Sequence, residues 1–559
     1  MKNILKADKK YNPVIFADYS DPDVIRVKDT YYLTASSFNY TPGLPILTSK
    51  DLINWKIAGY ALENLGEGFE FPRQSEGVWA PSIRYYDGVF YIYYGMPDEG
   101  IFVVTSKDPL KGWEKPVCVL KVKGFIDPCP IFMEDGKKYI IHAYAKSRIG
   151  FKSFLGIFEL SDDGLKSVSE DRFIFDGNIV DASGRENKNM DFKEKTETFE
   201  PSEKEHPAIT IEGPKVYRRN GYFYILAPAG GVVRGWQLAL RSKYLKGPYE
   251  SKIVMHQGDS LINGPHQGGL IDTEDGREYF IHFQDRGMFG RICHIQPVSW
   301  ENDWPVIGIC KDGSGCGQPV YELEKIGLHN LDNSEFPDMY NDPESMSDDF
   351  KDGKPSYIWQ WLGDHRSDFT GKRKAGEKGL ILNALNDKGK EDLPLGECSN
   401  ILTMKLTRPE FVTSVYMDVS KLKEEDRAGL LMTGGVFFSL EIKKNSDGGY
   451  EISVKEGDKE RRLCHSIKPE DSDKALDIAF RFSFKNEEET RDKSRSFASV
   501  DEKNPLLKAA FRIGEGEFED CNLSFRPIDD KWVGAKLGIY CISKGLSGGF
   551  AEFKCVKTD

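Results

Sequence analysis

Five stretches in the first half of this chain repeat one another, and the repeat limits the architecture more than any other feature. "VKDTYYLTA" from Val27, "YDGVFYIYYG" from Tyr86, "EDGKKYIIHA" from Glu134, "RNGYFYILA" from Arg219 and "EDGREYFIHF" from Glu274 are each a tight turn followed by an aromatic-rich strand. Superposing them puts Tyr32, Tyr91, Tyr139, Tyr224 and Tyr279 at one equivalent position. Three of the five run on into a second shared element: "TSKDLINW" from Thr48, "TSKDPLKGW" from Thr105 and "LRSKYLKGPY" from Leu240. Strand, turn, strand and polar link at a period of roughly 50 residues is the pattern of propeller blades. The reading is a five-bladed β-propeller. The longer interval between Tyr139 and Tyr224 carries a polar run around residues 177–207, read as a loop inserted between blades.

The repeat stops before residue 330. "NLDNSEFPDMYNDPESMSDD", residues 330–349, is acidic and turn-rich and reads as a linker. Beyond it, "LTMKLT", "TSVYMDVS", "VFFSLEIKK", "LDIAFRFSF" and "KLGIYCI" are short alternating strands with no propeller period. The expected division is a catalytic propeller over 1–329, a linker over 330–349 and a β-sandwich over 350–559. The charge run "KNEEETRDKSR", 485–495, reads as a solvated loop.

Composition agrees with an all-β chain: aromatic residues make up 12%, which favours strands. A net charge of −13 argues against phosphate-backbone binding and against an anionic membrane surface, so neither nucleic acid nor membrane is expected as a partner. A neutral substrate is compatible with that charge. No apolar run reaches the length of a membrane span. The ten cysteines show no metal-ligand spacing and read as buried reduced thiols. With "MKNILKADKK" lacking an apolar leader core, the expectation is a cytoplasmic chain.

The repeat gives meaning to three acidic residues. Counting back from the repeat tyrosines, Asp21 in "YSDPDVIRV", Asp127 in "GFIDPCPIF" and Glu212 in "TIEGPKVY" fall at equivalent places, on the innermost strands of blades 1, 3 and 4. Blades 2 and 5 offer Trp79 in "VWAPSIR", and His266 and Gln267 in "NGPHQGG", as a stacking face and polar contacts. Three carboxylates beside one axis repel and resist desolvation, so scaffolding would require a cation at each. Catalysis instead needs carboxylates in different protonation states. Inverting glycoside hydrolysis uses one as base on water and one as acid on the leaving oxygen, roughly 6.5–9.5 Å apart. A third can lift the acid's pKa by like-charge repulsion.

These residues resemble glycoside hydrolase family 43 over essentially the whole chain. "FADYSDPDVIRVKDTYYLTASSFNYTPGLPILTSKDLINW", "GVWAPSIRY", "IDPCPIF", "EGPKVYRRNGYFYILAPAGG", "NGPHQGGLIDT" and "GRICHIQPVSW" follow in family order. "YIWQWLGDH", "DRAGLLMTGG" and "WVGAKLGIYC" resemble the concanavalin-like β-sandwich of the β-xylosidase branch. The resemblance implies an exo-acting, inverting hydrolase of non-reducing-end xylose or arabinose from xylan-type oligosaccharides, with no required cofactor. β-Xylosidase is the first reading and α-L-arabinofuranosidase the alternative. Asp21 resembles the general base, Glu212 the general acid and Asp127 the residue that tunes and orients the acid. Arg291 resembles the arginine contacting the sugar in the −1 subsite, and Phe38 and Trp79 resemble its aromatic walls, with Gln267 a further substrate contact. His266 resembles a histidine that in some members binds a structural calcium through water. Asp23 is left as a support residue. A non-catalytic carbohydrate-binding propeller is disfavoured because all three acids are present. A sialidase-like propeller is disfavoured because only "SDDGLKS" at 161 approaches its repeated box. The sandwich reads as a buttress narrowing the active-site mouth rather than an independent sugar-binding module. Sugar preference and oligomeric state stay open.

Overall fold

A computed structural model describes residues 12–178, 208–322, 328, 343–386, 393–468, 475–485 and 506–559. Nearly all of the inserted loop expected around 177–207, most of the 330–349 linker and nearly all of the 485–495 charge run lie outside them.

The repeat folds as five four-stranded antiparallel sheets. Their innermost strands are Asp23–Val27, Trp79–Tyr86, Phe125–Phe132, Lys215–Arg219 and His266–Asp272. Each sheet adds its other three strands outward in chain order, as a propeller blade does. All five repeat tyrosines sit on the second strand of a blade. The second shared element has a local cause. Ser49, Ser106 and Ser242 end the third strands of blades 1, 2 and 4, and each hydroxyl accepts the N–H two residues on, from Asp51, Asp108 and Tyr244. This serine turn reverses the chain toward the outermost strand. Blade 5 lies against blade 1, where a Cβ on Gly269 would sit 2.7 Å from Asp23 Oδ1.

The C-terminal region forms one continuous 13-stranded sheet. It folds over on itself. Phe438, near one end of the strand order, faces Phe482 at 5.5 Å and Phe525 at 4.8 Å from strands near the other end. The two layers enclose a core that includes Trp359, Phe411, Phe480 and Leu537.

Sandwich and propeller are stitched together by backbone and side-chain hydrogen bonds. Thr41 and Trp361 exchange N–H···O bonds, Asn39 Nδ2 donates to Leu362 O at 2.7 Å, and both Asp364 carboxylate oxygens accept N–H groups, from Leu65 and Gly66. The thiols depart from expectation in part. Cys118 is exposed, while Cys310 and Cys555 are half-buried. Cys129, Cys293, Cys316, Cys398, Cys521 and Cys541 are buried. Among the described residues, no helix is long and apolar enough to cross a membrane.

Candidate active site

Strand pairing refines the equivalence of the three acids. The repeat tyrosines pair with Ile25, Arg84, Ile131, Tyr217 and Ile271 of the inner strands. Four residues before these partners stand Asp21, Ala80, Asp127, Gly213 and Gln267, and all five have left-handed backbones, with φ of 55°, 23°, 57°, 54° and 38°. Blades 2, 3 and 5 show a register break there. A bulge of this kind re-aims side chains. Asp21 and Asp127 therefore share a position, but Glu212 lies one residue earlier, level with Trp79 and His266. Counting from the tyrosines missed this because the turns differ. Blades 1, 2 and 4 use two-residue turns, whereas blades 3 and 5 add a residue. Blade 4 places glycine at the left-handed position, where an aspartate tolerates the backbone but glycine adopts it without steric cost.

The acids have different partners. Asp21 is buried; its Oδ1 accepts from Arg291 Nη1 at 3.2 Å and its Oδ2 from Ser36 Oγ at 2.6 Å. Ser36 Oγ accepts the Ala80 N–H at 2.7 Å, which fixes the hydroxyl's direction across blades 1 and 2. Glu212 Oε1 is 3.0 Å from His266 Nε2, and 29% of its side chain is exposed, making it the open member of the set. Asp127 is buried and accepts the Gly213 N–H at 2.8 Å; among the described residues no salt bridge reaches it.

These surroundings separate the protonation states. Burial, then Glu212, then Asp21 push Asp127 well above the ordinary carboxylate range. Burial also raises Glu212, but His266, through its hydrogen bond and charge, together with Arg291 and Lys152, brings it below its ordinary value. The expected repulsion is present, yet in the open site it falls on Asp127, because the Gly213 N–H and Lys215 offset its burial less than His266, Arg291 and Lys152 offset that of Glu212.

Arg291 is buried with its guanidinium 4.7 Å above the Phe283 ring. Gln267 is buried over Gly213, where any Cβ would meet its side chain at 2.4 Å. Phe38, with φ 51°, and Val78 bond reciprocally through their backbones. Trp79 donates Nε1–H to Ser75 O and meets the edge of Trp532 at 4.7 Å. Asp23 lies beneath the acids, fully buried, accepting from Arg84 Nη1 at 2.6 Å and the Ile83 N–H, with Lys215 Nζ 4.0 Å away. It is a support residue joining blades 1, 2 and 4. Ser36 and Trp532 were not singled out from the sequence. Ser36 lies inside "TASSF" and Trp532 opens "WVGAKLGIYC", but only proximity in the fold reveals them.

The calcium that the resemblance places near His266 would be held through water; direct ligation by this residue does not fit its surroundings. Its Nε2 is engaged by Glu212, its buried Nδ1 faces Gly235, and no group of three His, Cys, Asp or Glu residues able to hold a metal occurs among the described residues. Calcium takes about six to eight oxygen ligands.

Residues 11–305 match the family described as Glycosyl hydrolases family 43, and residues 347–558 match the β-xylosidase C-terminal concanavalin A-like domain. A putative β-xylosidase of Xylanibacter ruminicola is 33% identical over 431 residues, covering 76% of this chain and 72% of that protein. A non-reducing-end α-L-arabinofuranosidase of Bacteroides ovatus is 29% identical over 334 residues, covering 56% of each chain. The solved structure of a xylan β-1,4-xylosidase from Bacillus halodurans superposes with a TM-score of 0.74 at 19% identity over 99% of this chain and 100% of that one, a likeness of fold.

Proposed function

The chain belongs to glycoside hydrolase family 43 and is a glycoside hydrolase, and on that premise we propose that it removes single xylose or arabinose units from non-reducing ends of xylan-type oligosaccharides, with inversion. The observation that carries this reading is the unequal partnering of three acids around one axis: Asp21 with Arg291 and Ser36, Glu212 with His266, and Asp127 with no salt bridge among the described residues.

Asp21, its oxygens oriented by two donors, takes a proton from water as the water oxygen bonds to the anomeric carbon. The bond from that carbon to the leaving oxygen breaks, and Glu212 gives that oxygen a proton. Glu212 suits the role because its side chain is the most open of the set. Asp127 and Glu212 titrate as a pair, so the proton belongs to both. Asp127 holds it in the open site. Glu212 carries it for the reaction, and an ionised Asp127 then supports the protonated acid by repulsion. Arg291 orients Asp21 and the sugar, and Phe38, Trp79 and Gln267 wall the pocket. No step passes through a metal.

β-Xylosidase is the preferred activity, supported by the naming of the Xylanibacter relative and by the match of the C-terminal domain. α-L-Arabinofuranosidase is the second reading, supported by the Bacteroides ovatus relative. Initial rates on 4-nitrophenyl β-D-xylopyranoside and α-L-arabinofuranoside separate them. Proton NMR of the first-formed sugar tests inversion; retention would require a covalent nucleophile and displace Asp21 from the base role.

A further inference from the structure

Asp18 lies three residues before Asp21 and is buried, yet it touches none of the three acids. Its two oxygens serve two domains. Oδ1 accepts the Arg291 N–H at 3.0 Å, and Oδ2 accepts the Gly534 N–H at 3.0 Å. The junction admits no side chains: a Cβ on Gly290 would lie 2.4 Å from Asp18 Cγ, and one on Gly534 would lie 2.5 Å from Gly290 N. Two further backbone bonds continue it, from Tyr19 N–H to Arg291 O at 3.0 Å and from Ala535 N–H to Met288 O at 2.8 Å. On one side the carboxylate thus sets the strand start that carries Arg291. On the other it sets the sandwich loop in which Trp532 packs on Trp79 and Lys531 O accepts the Ser75 hydroxyl. Lys536 Nζ stands 3.6 Å from Oδ2, over the Tyr40 ring, and Lys405 lies over Tyr19. Burying these charges is costly and hydrophobic packing alone would be cheaper, whereas an acceptor with two fixed lone-pair directions aligns two backbones at once.

We infer that Asp18 is a positioning residue that registers Arg291 and the Trp532 loop of the sandwich to each other, so that the two domains share one pocket geometry. The inference rests on the functional reading above. In that reading Arg291 reaches the sugar and the base, where a displacement of about 1 Å can cost on the order of 10²-fold in rate.

The test compares wild type, Asp18→Asn, Trp532→Ala and the double variant on 4-nitrophenyl β-D-xylopyranoside and α-L-arabinofuranoside, with amide hydrogen exchange of the intact chain. Asp18→Asn should lower kcat/KM by roughly 10- to 100-fold. Trp532→Ala should cost about tenfold in wild type but less than about twofold in the Asp18→Asn background, because the loop is already displaced. Exchange should rise together at 287–293 and 529–536. Gly534→Ala, which spreads the same junction without altering charge, should reproduce the coupled exchange if Asp18→Asn folds poorly. Fully multiplicative kinetic effects, or exchange that changes in only one of the two segments, would overturn the proposal. Wild type inactive on both glycosides would reject the functional reading instead, and the exchange result would then decide the positioning role by itself.

Discussion

His266 Nε2 stands 3.0 Å from Glu212 Oε1, bringing the heads of two neighbouring inner strands into one ionisable pair. The pair decides which carboxylate of the site retains a proton. The imidazole lowers Glu212, while Asp127, left with a backbone donor, rises.

Replacing His266 by Gln keeps a donor and removes the imidazole. Glu212 then loses its main lowering influence and holds its proton to higher pH. Because the acid must be protonated to act, the basic limb of the kcat/KM profile should move to higher pH. An unmoved limb would show that His266 acts on Glu212 by packing alone.

Asp21→Asn should reduce kcat by about 10³-fold or more, since an amide cannot take a proton from water. The fold should persist, as Asn can still accept from Arg291 or Ser36. Circular dichroism and a melting curve check the fold. A folded variant with near-normal turnover would refute the base assignment.

Glu212→Ala should spare activated aryl glycosides far more than natural xylo- or arabino-oligosaccharides, because a good leaving group needs little protonation. Asp127→Asn removes the repulsion that supports the protonated acid, so its basic limb should move to lower pH, opposite to His266→Gln. Equal losses of Glu212→Ala on both substrate classes would assign the proton donor elsewhere.

Lys536 gives a stability prediction at the domain junction. Burial first, then Lys405, push its ammonium down to about 7, against the opposing pull of Asp18 and Asp530. A free lysine titrates near 10.4. Between these values the unfolded chain binds a proton that the folded chain does not, so this group makes stability rise with pH across that window. Lys536→Met should remove that rise, with a larger relative gain in Tm at pH 6 than at pH 9. Parallel Tm–pH curves for variant and wild type would contradict it.

Much of the fold was legible because propeller blades are local. Each turn, strand and serine link is encoded within roughly 50 residues, and "TSKD" specifies its own hydrogen bonds. Asp21, Asp127, Glu212, Arg291 and His266 could be picked out because the blade repeat and the family motifs mark their positions. Their exact levels could not. The blade 3 turn is one residue longer than those of blades 1 and 4, so Asp127 stands level with Asp21 although its count from the tyrosine equals that of Glu212, and turn length matters only once strands pair. Nor could sequence reveal that the neighbour of Glu212 is a histidine 54 positions away, or that Asp18 meets Gly534 across 516 positions. Sequence determined which chemical groups the chain carries and the local pattern that brings acids to the head of each blade. The closed ring and the folded-over sandwich decided which donor each acid receives, because hydrogen bonding and electrostatics depend on distances of a few ångströms between segments that the chain order keeps far apart.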